Sequence, residues 1–186
     1  ILTRLVGSEM CIRDRSIGAY NCILHHADQK IKDKYLPKMV EGKWSGTMCL
    51  TESHCGTDLG LLKTKAVKQN DNSYKISGQK IFITSGDHDL TENIIHLVLA
   101  RIPGSPSGTK GISLFLVPKF VVNDNGSVGP RNGVNTASIE TKMGIKGSPT
   151  CVLNFDEATG FMIGPENKGL SLSLIHISEP TRRVRI

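Results

Sequence analysis

From residue 16 to 42 the apolar positions Ile17, Tyr20, Leu24, Ala27, Ile31, Tyr35 and Met39 recur at steps of three and four, the period of a helix with one buried face. Pro37 removes a backbone donor, so the pattern predicts one helix, a break before Pro37 and a final turn over 38–41, with Gly42 placed to stop it. After Trp44 the texture changes to short runs rich in Val, Ile, Thr and Phe, separated by Gly, Asn, Asp and Pro. Strands are predicted near 46–51, 63–68, 73–77, 80–84, 94–100, 111–117, 138–142 and 151–155. Asn70-Asp71-Asn72 supplies turn geometry between two of them, and Gly78 breaks the next pair. The stretches 103–111 and 123–135 are polar and rich in Gly and Pro, hence surface loops. No internal repeat is evident. Short strands without helical crossovers predict a mainly β, antiparallel barrel or sandwich behind the end of a helical layer.

The two ends change the domain boundaries. The run LVGSEMCIRDR (5–15) can be coded by a DNA word whose reverse complement, read in one frame, codes LSLIHISEPTR (172–182). Inverted ends of this kind resemble transposon-end adaptors from sequencing libraries. Segments 1–15 and 172–186 are therefore expected to be adaptor-derived and are set aside. What remains is 16–43, the end of a helical domain, and 44–171, a β-domain. The chain carries 23 Lys and Arg against 17 Asp and Glu, a net +6. The ends hold Arg4, Arg13, Arg15, Arg182, Arg183 and Arg185 against Glu9, Asp14 and Glu179, which leaves 17 basic against 14 acidic residues, or +3. A mild excess spread along the chain gives no clustered basic face for nucleic acid. No apolar run approaches the roughly 20 residues that a helical membrane span needs.

Cys22, Cys49, Cys55 and Cys151 form no C-x-x-C pair, which argues against a zinc or redox motif, and no metal is expected. His54 and Cys55 are adjacent, and adjacent residues seldom converge on one ligand; a small residue in a tight loop is the simpler reading. His25 and His26 point about 100° apart on a helix, so at most one can face any given site.

Two segments concentrate polar chemistry beside apolar strands. Thr51-Glu52-Ser53-His54-Cys55-Gly56-Thr57-Asp58 packs hydroxyls, carboxylates and a glycine into one loop. Such a loop suits a polar ligand, since hydroxyls and backbone groups can meet the alternating donors and acceptors of a flavin edge, and Gly56 lets backbone approach closely. The same composition also describes a turn whose side chains bond their own backbone. Lys80-Ile81-Phe82-Ile83-Thr84-Ser85-Gly86 alternates as a strand with Phe82 and Thr84 on one face and Ile81 and Ile83 on the other. An aromatic next to a hydroxyl suits a flavin, although a core strand with a polar end has the same pattern.

Taken together and in this order, MCLTESHCGTDLG (48–60) and ISGQKIFITSG (76–86) resemble the two flavin-binding stretches of the acyl-CoA dehydrogenase family, of the forms C/V-L/V-T-E-P-x-A-G-S-D and K-x-W/F-I-T-N/S-G. The likeness covers nearly all of 16–171. YLPKMVEGKWSGTMCLTE, ENIIHLVLARIPGSPSGTKGISLFLVPKF and IETKMGIKGSPTCVLNFDEATGFMIGPENKGL are similar to the branch that includes methylmercaptopropionyl-CoA dehydrogenases. Three positions depart from the motif: Ser53 stands at the usual proline, Cys55 at the usual alanine and Thr57 at the usual serine.

The resemblance implies an FAD enzyme that dehydrogenates an acyl-CoA thioester between its α and β carbons. It implies that Met48, Cys49, Leu50 and Thr51, with Gly56 and Thr57, line the flavin, that Thr51 bonds the isoalloxazine edge, and that Phe82, Ile83 and Thr84 form the second wall. Thr57 is also implied on the acyl-CoA side. The implied partners are the acyl-CoA substrate, an electron-transfer flavoprotein and further copies of the full-length protein, and the implied compartment is the bacterial cytoplasm. The family's catalytic glutamate belongs to a helical domain after the β-domain, so neither Glu52 nor Glu140 is nominated as base. An acyl-CoA oxidase and a non-catalytic acyl-CoA-binding relative share these motifs and remain alternative readings.

Overall fold

A computed structural model describes residues 15–178. Helix α1 covers 15–26 and helix α2 covers Gln29–Val40. The break between them falls at Ala27 and Asp28, not before Pro37. Asp28 caps α2 by accepting a hydrogen bond from the Ile31 N–H at 2.8 Å, which fixes the start of the second helix. Pro37 lies inside α2, close enough to its end that the lost donor breaks nothing further. Gly42, at φ 71°, ends the helix: its N–H bonds the Met39 carbonyl and the Lys43 N–H bonds that of Lys38, the paired bonds of a Schellman stop.

Nine strands follow among the described residues: β1 Trp44–Cys49, β2 Lys65–Lys68, β3 Tyr74–Thr84, β4 Asn93–Ala100, β5 Ser113–Pro118, β6 Phe120–Val122, β7 Val128–Arg131, β8 Val134–Ile139 and β9 Thr150–Ile163. Helix α3, Gly169–Ser178, comes last. The main sheet runs β1-β4-β5-β9-β3-β2 with β8 on β9, and β6 pairs with β7 in a separate ribbon. The sheet closes on itself, because the Ala66 N–H bonds the Arg101 carbonyl and the Arg101 N–H bonds that of Thr64, joining β2 to the end of β4. The mainly β architecture expected from sequence is therefore observed, and of the barrel and sandwich forms left open it is the closed one.

Several details differ from the sequence reading. The two strands expected at 73–77 and 80–84 are one, with register shifts where Gly78 and Phe82 lie. Gly78 bends the strand instead of ending it: a Cβ there would sit 2.6 Å from Thr64 Oγ1, so only glycine lets β3 pass this close. β9 runs eight residues beyond the expected 155. The strand expected at 138–142 lies at Val134–Ile139, and the loop expected over 123–135 contains β7. Val128-Gly129-Pro130-Arg131 reads as a turn by composition, yet it pairs with β6 around the Asn123–Ser127 turn. β1 and β4 pair in parallel, whereas an all-antiparallel sheet was expected.

β4 is buried at every position because its faces meet different cores. Ile95, Leu97 and Leu99 pack with Leu114 and Leu116 of β5 against Ala19, Ile23, Ile31, Tyr35 and Trp44 of the helical side. Val98 and Ala100 face the barrel interior with Phe115, Val117, Tyr74, Leu153 and Phe155. The end segments assigned to library DNA lie mainly outside the described residues; where described, Arg15 opens α1 and 172–178 continue α3, with Leu172 packed in the helical-side core.

Candidate functional site

The ends of β1 and β3 meet at one cleft of about 170 Å³, lined by Met48, Leu50, Thr51, Ile81, Phe82, Ile83 and Thr84, with Arg15 beside them. The Ile81 N–H donates to the Thr51 carbonyl at 2.9 Å, so the two sequence segments are joined directly. The register shift between Lys80 and Ile83 breaks the alternation expected for this strand. Phe82 takes φ 60°, an unusual conformation for a bulky residue, and its ring stands 57% exposed, while Ile83 turns into the barrel core. Backbone strain and an exposed aromatic at the same residue make Phe82 a candidate contact for a ligand or partner. The Thr51 and Thr84 side chains are half-buried at the cleft, and neither hydroxyl makes a hydrogen bond among the described residues.

A buried ion pair fixes the first wall. Glu52 is 4% exposed and accepts hydrogen bonds from the N–H groups of Lys63 and Thr64 at 2.8 and 3.0 Å, from Thr64 Oγ1 at 2.5 Å and from Lys80 Nζ at 2.9 Å. Lys80 is fully buried and also donates to the Leu50 carbonyl at 3.0 Å. Burial pushes the Glu52 carboxyl up, but the Lys80 charge and the Thr64 and Lys63 hydrogen bonds outweigh it and hold the group below its ordinary value. Lys80 therefore stitches both sides of Thr51 to β3, one residue before the bulge. Glu52, which sequence reading kept out of the catalytic roles, is occupied by this structural task.

The second wall is anchored beyond Gly86. Asp87 meets Lys119 Nζ at 2.5 Å, Arg131 at 3.1 Å and Thr136 Oγ1 at 2.9 Å, and Lys119 also donates to the His88 carbonyl. Burial raises the Asp87 carboxyl, and the hydrogen bonds from Lys119, Thr136 and Arg131 more than offset it, leaving the group at about 2, below the ordinary 3.8. A depressed carboxyl stabilises the fold above its unfolded value and loses that contribution as pH falls through the folded one. Stability from Asp87 should thus be complete above pH 3.8 and disappear towards pH 2. Urea unfolding of the Asp87→Asn variant should show a flatter decline over that window than the parent chain; an identical decline would remove Asp87 from the account.

Sequence reading selected the cleft but not its supports. Met48, Leu50, Thr51, Phe82 and Thr84 reach it with side chains, whereas Cys49 is wholly buried among barrel residues, and its thiol is pushed up to about 12 by burial. Cys49 and Ile83 can offer a ligand only their backbone. Gly56 and Thr57 are exposed and do not line the cleft, although a Cβ on Gly56 would sit 3.3 Å from Thr51 Cγ2, which places that glycine directly behind Thr51.

The sequence model of the family described as acyl-CoA dehydrogenase, middle domain, matches residues 47–158, a span that contains both walls of the cleft. The chain belongs to this family. It is 48% identical over 158 residues to a 3-methylmercaptopropionyl-CoA dehydrogenase of Ruegeria pomeroyi, covering 85% of this chain and 27% of that relative. The chain thus spans about a quarter of the relative's length. Among solved structures, butyryl-CoA dehydrogenase from Megasphaera elsdenii superposes with a TM-score of 0.72 at 28% identity, over 89% of this chain and 40% of that one. An acyl-CoA dehydrogenase complexed with FAD from Bacillus anthracis gives 0.72 at 26% identity, over 89% of this chain and 26% of that one. In this acyl-CoA dehydrogenase domain no helix among the described residues is long and apolar enough to cross a membrane.

Proposed function

We propose that this chain is the flavin-binding middle part of an FAD-dependent acyl-CoA dehydrogenase, and that the cleft between Thr51 and Phe82 receives the isoalloxazine ring. The observation that carries the reading is the convergence of Thr51, Phe82 and Thr84 on one cleft with the Phe82 backbone in a left-handed conformation. The lining fits a flavin: Met48, Leu50 and the Phe82 ring offer apolar contact to a flat heterocycle, and the Thr51 and Thr84 hydroxyls can bond its polar edge. At about 170 Å³ the cleft suits part of the ring system, with the rest of the dinucleotide lying along neighbouring surface.

The chemistry that FAD supplies when bound is acceptance of a hydride from the β carbon of the thioester. The residues of this chain orient and bury that acceptor. Thr51, held by Lys80 through Leu50 and Glu52, fixes the ring's edge, and Phe82 excludes water from one side. Thr57, on the exposed loop, is assigned to the acyl-CoA side. Removal of the α proton needs a carboxylate base, and Glu52 cannot supply it while paired with Lys80. An electron-transfer flavoprotein is the electron-accepting partner proposed for the complete enzyme. In the complete enzyme, an added acyl-CoA thioester should bleach the oxidised flavin absorbance under anaerobic conditions, whereas the 186-residue chain alone should show none. A complete enzyme that binds FAD but is not bleached by any straight or branched short-chain thioester would refute the dehydrogenase reading.

A further inference from the structure

The loop that carries Thr51 holds a second constellation. The Glu52 N–H bonds the Cys55 carbonyl at 2.9 Å and the Cys55 N–H bonds the Glu52 carbonyl at 3.1 Å, closing a two-residue turn over Ser53 and His54. That turn folds His54 back, so a Glu52 carboxylate oxygen, a His54 ring nitrogen and Cys55 Sγ all lie within 4.8 Å of one another. Sequence adjacency had argued against convergence of His54 and Cys55; the tight turn is the reason they converge. Both residues belong to the part of the loop where the chain departs from the family motif, Cys55 standing at the usual alanine.

We infer that Glu52, His54 and Cys55 form a binding site for a borderline-soft divalent cation of the zinc type, distinct from the flavin cleft. Carboxylate, imidazole and thiolate are the donor set such a cation takes. Glu52 Oε2 lies 3.5 Å from His54 Nε2, close to the ~3.4 Å expected between two ligands about 2.1 Å from a tetrahedral metal. The division of labour within the carboxylate permits it. Oε1 takes the hydrogen bonds from Lys80, Thr64 N–H and Thr64 Oγ1, while Oε2 takes only the Lys63 N–H and faces His54. His54 would exchange its 3.1 Å contact with the Leu61 carbonyl for the metal, and Cys55 would bind as thiolate after rotation about its single side-chain torsion. Charge is balanced with the cation bound, since the cation and Lys80 are matched by Glu52, the Cys55 thiolate and Asp58; without it, burial and the Glu52 and Asp58 charges hold the Cys55 thiol above its ordinary value, so metal binding displaces its proton. His54 is exposed, so the fourth ligand position opens to water.

The test is a titration of the 186-residue chain, without flavin, with cobalt(II) chloride as a spectroscopic stand-in for zinc. The expected result is a thiolate-to-cobalt charge-transfer band that saturates at one equivalent and is abolished by added zinc chloride. The band should vanish in Cys55→Ser and survive in Cys151→Ser. In His54→Ala, a change at an exposed position that removes a direct ligand, cobalt should bind at least roughly tenfold more weakly, the low end of what even an outer-shell partner is worth. Absence of a saturating band in the parent chain, or an unchanged band in both Cys55→Ser and His54→Ala, would overturn the assignment.

Discussion

Lys80→Met should lower the stability of the chain by roughly 3–5 kcal/mol, the cost typical of removing one partner from a buried ion pair. Glu52 would be left 4% exposed with its charge opposed only by neutral donors, and the Leu50 carbonyl would lose its Lys80 bond. Adding Glu52→Gln to that variant should recover a large part of the loss. The amide oxygen can still accept from the Thr64 N–H and hydroxyl, and no buried charge remains, while the Lys63 N–H loses its acceptor. Urea unfolding of the two single variants and the double variant gives the coupling directly. A Lys80→Met cost below about 1 kcal/mol would mean that the pair does not organise the loop. The ionised pair also fixes the direction with pH: the depressed Glu52 carboxyl contributes above its unfolded value and ceases to do so as pH falls through its folded one.

Phe82→Gly should separate stability from function. The substitution removes a bulky side chain from φ 60°, a conformation whose strain is about 1–3 kcal/mol, and glycine adopts it freely. Because the ring is 57% exposed, little burial is lost. Stability of the flavin-free protein should therefore stay level or rise once glycine's added unfolded-state entropy, about 0.5–1 kcal/mol, is subtracted. Affinity for FAD should nonetheless fall by about 1–3 kcal/mol, the usual worth of stacking a planar heterocycle on an aromatic side chain, or roughly ten- to hundredfold in dissociation constant. Flavin fluorescence titration of the complete apoenzyme measures this. Unchanged affinity would show that the strained ring serves some other contact.

The parts of this site that were legible in the sequence are those written in local pattern. Alternation placed most of the strands within a few residues, and the order Thr51 before Phe82 and Thr84 marked both walls of the cleft. The supports depend on contacts between distant segments and were not legible. Nothing in the strand pattern of 80–86 marks Lys80 as half of an ion pair, and only the return of residues 50–52 over β3 makes it the buried partner of Glu52. The Asp87 clasp joins Lys119, between β5 and β6, to Arg131 of β7 and Thr136 of β8, none of which signals the others in sequence. The bulge at Phe82 was hidden because its residues alternate as a regular strand would; the shift arises from pairing with β9. Parallel pairing of β1 with β4 is likewise a property of the closed sheet, not of either strand. At Asp28 and Pro37, one cap hydrogen bond outweighed the break that proline signals.

A crystal structure of the complete enzyme with FAD bound tests most directly whether the Thr51–Phe82 cleft seats the flavin ring. The isoalloxazine ring is expected in van der Waals contact with Phe82, with the Thr51 and Thr84 hydroxyls within hydrogen-bonding distance of its edge. A ring seated elsewhere on the domain, for example in the pocket lined by Tyr35 of α2, Lys68 of β2 and Phe161 of β9, would contradict it.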